Sequence, residues 1–135
     1  MTTAHPKVKV RIITDGRTET LWAEALPDGM YKLLNIPFFS ALYALHDIVE
    51  CEDSEDAFPQ AVRVVNPSGN RTRPAVRLGE WSEGSATAIV HMLKDAGIDS
   101  EGMNLGGAHF RSFLIRNDDE RDRLDDILKR LWEAS

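Results

Sequence analysis

The sequence predicts an α+β fold: a small twisted β-sheet or partly closed β-barrel of about six strands, followed by helix, strand and helix. Three observations carry this. From Lys7 the chain alternates polar and apolar as Lys-Val-Lys-Val-Arg-Ile, the pattern of a half-buried strand. Turn signals then recur at close spacing: Asp15-Gly16, Pro27-Asp28-Gly29 and Pro67-Ser68-Gly69-Asn70. Beyond Gly84 the apolar period lengthens from about two to about 3.6, that of amphipathic helices.

Residues 1–6 read as a disordered lead-in. Val8, Val10 and Ile12 of the first strand would face the core. Asp15-Gly16 is the preferred pair for a tight hairpin turn, and the next strand runs from about Thr18 to Ala25. After the Pro27-Asp28-Gly29 turn a third strand, Met30 to Leu34, completes a meander. Pro37 ends it, because proline donates no ladder hydrogen bond and holds Ile36 extended. The apolar run Phe38–Leu45 is either a short helical turn plugging one end of a barrel or a buried crossover. Asp47 to Cys51 returns to strand character, and Glu52–Asp56 is an acidic surface loop without the ligand spacing or central Gly of a calcium loop.

Phe58 to Asn66 gives a fifth strand, and Arg71 to Leu78 reads as its hairpin return. Arg71, Arg73 and Arg77 make that strand the most basic spot in the chain. Gly79 to Gly84 is a polar connector. Ser85 would cap a helix burying Ala86, Ile89, Val90, Leu93 and Ala96, which Gly97 ends. Asp99 to Gly107 reads as a loop and Ala108 to Arg116 as a strand. Asn117-Asp118-Asp119-Glu120 opens the last helix with a cap and an acidic first turn, and Leu124, Ile127, Leu128 and Leu131 form its apolar stripe. The expected organisation is a β-rich, barrel-like part over residues 7–78 and a helix-strand-helix part over 79–135, packed as one domain.

The 135 residues suffice for one domain with a proper core. A net charge of −6 points away from non-specific nucleic-acid binding, which requires a basic surface to displace counterions. It suits a basic protein partner. The single cysteine, Cys51, excludes an internal disulfide, and Glu50, Glu52 and Asp53 beside it oppose a reactive thiolate. No apolar run is long enough to span a membrane, and Met1–Lys9 lacks a basic segment followed by an apolar one, so the expectation is a cytoplasmic protein.

No catalytic constellation or cofactor motif stands out. His5, His46, His91 and His109 are not spaced as metal ligands, so no metal is expected. Gly106-Gly107 precedes a strand, the wrong context for a phosphate loop. Trp22 and Glu24 are more informative. Two apart on a strand, they share a face, with Leu21 and Ala23 on the other. Either Trp22 is core and Glu24 lies at the rim or is drawn to Arg63 or Arg71, or the pair forms an exposed shelf for a ligand or partner. Asn35, Phe38, Asp47, Ser68, Asn70 and Arg71 would complete such a site. The structural alternatives are capping by Asn35, Asp47, Ser68 and Asn70, and a core plug at Phe38.

Leu21-Trp22-Ala23-Glu24, Gly29-Met30-Tyr31-Lys32-Leu33, Asn35-Ile36-Pro37-Phe38-Phe39, Asp47-Ile48-Val49 and Ser68-Gly69-Asn70-Arg71-Thr72 together resemble a bacterial family, domain of unknown function 4265, over roughly residues 8–116. The resemblance implies a bacterial cytoplasmic protein and brings no established activity. It also implies Gly before the Asp of the fourth segment, where this chain has His46, a departure that argues against a tight turn there.

The functional expectation is a non-enzymatic binding protein acting through a protein partner, such as an immunity or escort protein. The alternative is a small-molecule or nucleotide-binding protein, or an enzyme, with its site at the barrel mouth near Trp22 and Glu24.

Overall fold

The computed structural model describes residues 5–54 and 58–133. Five strands, β1 (Lys7–Thr14), β2 (Arg17–Ala25), β3 (Met30–Leu33), β4 (Ile48–Glu52) and β5 (Gln60–Asn66), form a closed barrel in sequence order. The neighbouring pairs β1 to β5 are antiparallel, and β5 closes onto β1 in parallel, opposite Arg11. A second sheet contains β6 (Arg71–Glu80), β7 (Ser100–Leu105) and β8 (Ala108–Ile115), in the antiparallel order β6-β8-β7. Helix α1 (Glu83–Asp95) joins β6 to β7, and α2 (Asp118–Glu133) follows β8. The α+β architecture with a barrel-like front is therefore present.

The alternation that predicts β1 also fills the barrel. Val10, Ile12, Leu21, Ala23, Leu33, Tyr43, Val49 and Ala61 form its buried core. Asp15 and Gly16 take positive φ, as the tight β1–β2 turn requires. The chain is anchored one residue before β1, where the Pro6 carbonyl accepts from the Ala25 N–H, so the expected disordered lead-in does not extend to Pro6. Residues 1–4 of that lead-in, and Glu55 and Asp56 of the acidic loop, lie outside the described residues.

The segment 34–47 is a crossover, not a helical plug. It runs as bends and turns, with Ile36, Pro37, Phe38, Ser40, Tyr43 and Ala44 buried. Lacking a ladder, its backbone groups find other partners. The Glu19 carboxylate of β2 accepts from the Phe38 and Phe39 N–H groups at 2.7 and 2.8 Å. The Phe38 carbonyl accepts from Ala75 of β6 at 2.8 Å. That last bond exists because Pro74 donates nothing and interrupts the β6–β8 register between Arg73 and Val76, freeing the next N–H to turn toward the crossover.

Three further expectations are corrected. β6 is not the hairpin return of β5; it pairs with β8, and it continues through Gly79 and Glu80 rather than ending at Leu78. The loop at Asp99–Gly107 contains a strand, β7, closed onto β8 by Gly106-Gly107, both at positive φ. Its Ser-Glu-Gly-Met-Asn-Leu sequence has no alternation to read because Glu101–Leu105 are all exposed. The cap of α1 is Ser82, whose Oγ accepts from the Ser85 N–H at 3.1 Å. Gly97 ends α1 at positive φ as expected. Asn117 caps α2, accepting from the Glu120 N–H at 2.8 Å.

Both helices pack on one face of the second sheet. Ile89 and Leu93 of α1, Leu124, Ile127 and Leu128 of α2, and Ile98, Phe113 and Ile115 form a second core. Val90, expected on the buried face of α1, is exposed. No helix among the described residues is long and apolar enough to cross a membrane.

Candidate functional site

The residues singled out from the sequence separate into three places. Leu21 and Ala23 enter the barrel core, so Trp22 and Glu24 are on the outer face. Trp22 is 47% exposed, which overturns the reading of a core tryptophan. Lys9, its cross-strand neighbour, holds its ammonium 5.2 Å from the ring centroid, a cation–π distance. Together with Val8, Lys9, Ala25, Tyr31, Phe58 and Pro59, Trp22 lines a mostly apolar hollow of about 500 Å3. Glu24 is opposite Lys7 and Lys32 in register; its suggested partners are engaged elsewhere, Arg63 with Glu50 and Arg71 with Asp118.

Asn35 and Phe38 belong to the crossover. The Asn35 Oδ1 accepts from the Trp22 N–H at 2.7 Å, tying the crossover to β2. Phe38 is buried and meets the Phe39 ring edge-on at 5.0 Å, so it is a plug and not a stacking platform.

Asp47, Ser68 and Asn70 converge into a clasp. Asp47 is buried. Its Oδ2 accepts from the Ala44 N–H at 3.0 Å, and its Oδ1 from the Ser68 N–H and hydroxyl at 2.8 and 2.9 Å. The Asn70 amide donates to the Leu45 carbonyl at 3.0 Å. Between them His46 takes φ +70°, so the tight turn that its departure from Gly argued against is present with a histidine in the left-handed region. The clasp thus fixes the crossover to the β5–β6 turn. Arg71 lies next to it, with its guanidinium 2.9 Å from Asp118 of α2, and Arg73 similarly holds Asp125. Arg71, expected to complete a ligand or partner site, therefore carries a carboxylate already.

Two features emerge only in three dimensions. The first is β7, an edge strand bonded to β8 on one side alone, with Met103 and Leu105 exposed. Beside it, Glu101, Gly102 and Met103 face Thr18–Leu21 and the crossover across a cleft of about 430 Å3.

The second lies under α1. His109 and Arg111, two apart on β8, share the face that carries Phe113 and Ile115. His109 is 1% exposed and packs against Trp81, with ring centroids 5.2 Å apart. Its Nε2 faces the Arg111 guanidinium at 3.3 Å, so it accepts there and the ring is neutral; its Nδ1 finds no partner among the described residues. Burial, then the adjacent Arg111 charge, lowers its pKa. Burial also lowers that of Arg111. The His-x-Arg spacing was the available sequence signal, but it means little until α1 is known to cover that face. Among the described residues no cluster of His, Cys, Asp and Glu is arranged to hold a metal ion.

No curated protein matches the chain. A hypothetical protein from Neisseria gonorrhoeae, known from its crystal structure, has the same fold, with a TM-score of 0.68 at 24% identity over 98% of this chain and 91% of that one. The model of the family described as Domain of unknown function (DUF4265) matches residues 19–134, which takes in the barrel strands from β2, the crossover, the clasp and the whole second sheet. The chain belongs to that family.

Proposed function

We propose that the protein is a non-enzymatic binding protein that takes up an extended segment of a protein partner along the free edge of β7. The observation that carries this reading is the edge itself. Every second residue of an edge strand directs its N–H and C=O away from the sheet, ready to pair with another chain. Native edges are commonly blunted by Lys, Pro or a bulge. β7 has none of these: Ser-Glu-Gly-Met-Asn-Leu pairs with β8 in unbroken register and leaves Met103 and Leu105 exposed. A partner strand would gain main-chain bonds from β7 and side-chain contacts in the cleft beside β2. The net charge of −6 favours encounter with a basic partner.

The test is a comparison of wild type with Met103→Lys/Leu105→Lys, which leaves the β7–β8 bonds intact. Wild type should retain a specific protein from host lysate, and that protein should protect β7 amides from hydrogen exchange. The double variant should retain none. Equal capture by both, or protection elsewhere only, would refute the edge as the contact. Self-association through β7, seen as a concentration-dependent dimer lost in the variant, would make the partner a second copy.

A second reading rests on the hollow beside Trp22. Its apolar walls and the Lys9 ammonium suit a small apolar anion. Trp22→Ala/Glu24→Ala should then lose a thermal-shift response that wild type gives with such a compound; flat responses across a metabolite panel would dismiss it.

A further inference from the structure

Arg111 differs from the arginines of this chain that form ion pairs. Arg63, Arg71, Arg73, Arg116, Arg121, Arg123 and Arg130 each hold a carboxylate within ion-pair range. Arg111 is half-buried, yet its contacts are neutral: Nε donates to the Ser100 Oγ at 2.8 Å, and Nη1 meets the His109 Nε2 at 3.3 Å. The guanidinium also lies against the backbone of Gly102, so closely that a Cβ there would overlap it. A planar cation locked on three sides, with Glu101 near enough to act on it but no carboxylate among the described residues in ion-pair range, is preorganised for an oxyanion.

Its surroundings give such a ligand room. Arg111 forms part of the wall of two cavities on either side of Val90. One, of about 430 Å3, adds Lys94, Asp99, Ser100 and Arg116; the other, of about 300 Å3, adds Trp81, Glu83, Thr87 and His91. The first supplies the Lys94 ammonium and a hydroxyl, its Arg116 being paired with Asp99 and Glu120, and the second an exposed indole face. We propose that Arg111 is the anchor of an oxyanion site between α1 and the second sheet, which takes the phosphate of a small phosphorylated metabolite whose flat body packs on Trp81. Ser100 and Gly102 act as positioning residues. They aim the fork, and Gly102 is required because the guanidinium occupies the space of its missing side chain.

The test is an NMR titration of 15N-labelled protein with inorganic phosphate and, separately, with AMP as a phosphate carrying a flat body. Phosphate should shift the Arg111 Nε–H and the Gly102 amide saturably, and AMP should bind at least about tenfold more tightly. Arg111→Gln should abolish both responses. Gly102→Ala, which keeps the arginine but evicts its guanidinium, should weaken both by at least about tenfold while its spectrum stays folded. Trp81→Leu should weaken AMP only. No saturable shift with phosphate, or a response in Arg111→Gln or Gly102→Ala equal to that of wild type, would overturn the site. AMP binding no tighter than phosphate would overturn the role of Trp81.

Discussion

Replacing Asp47 by alanine should lower the unfolding free energy by about 3 kcal/mol. The carboxylate accepts from the N–H groups of Ala44 and Ser68 and from the Ser68 hydroxyl. Hydrogen bonds to a charged group contribute about 1.5–3 kcal/mol each. Simple addition overstates the loss, because Ser68 is exposed and water replaces part of what it loses. The Ala44 N–H is buried and has no such recourse, so it carries about 1–3 kcal/mol alone, with about 1 kcal/mol from the Ser68 side. At about 2.1 cal/mol/K per residue the midpoint should fall by about 10 °C. Asp47→Asn separates charge from shape. An amide has one acceptor oxygen, so its NH2 must face either Ala44 N–H or Ser68 N–H, and about 2 kcal/mol should be lost. Urea unfolding followed by circular dichroism measures both, with an unchanged m-value expected. A double-mutant cycle with Ser68→Ala should return a coupling of about 1 kcal/mol. If Asp47→Asn matches wild type within about 0.5 kcal/mol, the clasp does not hold the crossover as argued.

His46→Gly should raise stability by about 0.5–1 kcal/mol, because relief of the left-handed φ outweighs the extra freedom of an unfolded glycine; urea unfolding checks it, and a loss would mean the imidazole has a role of its own. Neutral, buried His109 has a lowered folded pKa, so the unfolded chain binds the additional proton. Its contribution to stability should be complete above pH ~6.5 and decline as the pH falls from there toward the folded value, and this decline should be absent in His109→Leu when the two are compared by unfolding from pH ~7.5 to ~5. The Cys51 thiol is pushed up to about 12, first by burial and then by Glu50. Its native reaction with Ellman's reagent at pH ~8 should be about a thousandfold slower than that of an ordinary thiol and recover fully in denaturant; a rapid native reaction would contradict that burial.

Much of the barrel is legible in the chain because its information is local. The Val8-Val10-Ile12 alternation, Asp15-Gly16 and Pro27-Asp28-Gly29 specify strands and turns through side chains within a few residues of one another. The stripe of α2 and its Asn117 cap are equally local. Less was legible of the site. Asn35, Asp47, Ser68 and Asn70 stand out as polar residues at turns, but whether they meet a ligand or the backbone depends on residues some twenty positions away.

What the sequence determined by itself was the α+β class, most of the elements and the family framework. Tertiary structure decided which sheet each strand joins and which face each side chain shows. β6 leaves β5 for β8 because pairing is a long-range choice, made once the 34–47 crossover intervenes and Pro74 turns the Ala75 N–H toward it. β7 left no trace in the sequence because an exposed edge strand needs no apolar alternation; its hydrogen bonds to β8 define it. Trp22 went outward because Leu21 and Ala23 fit the narrow barrel, and the two-residue period of a strand admits one of the two faces to the core.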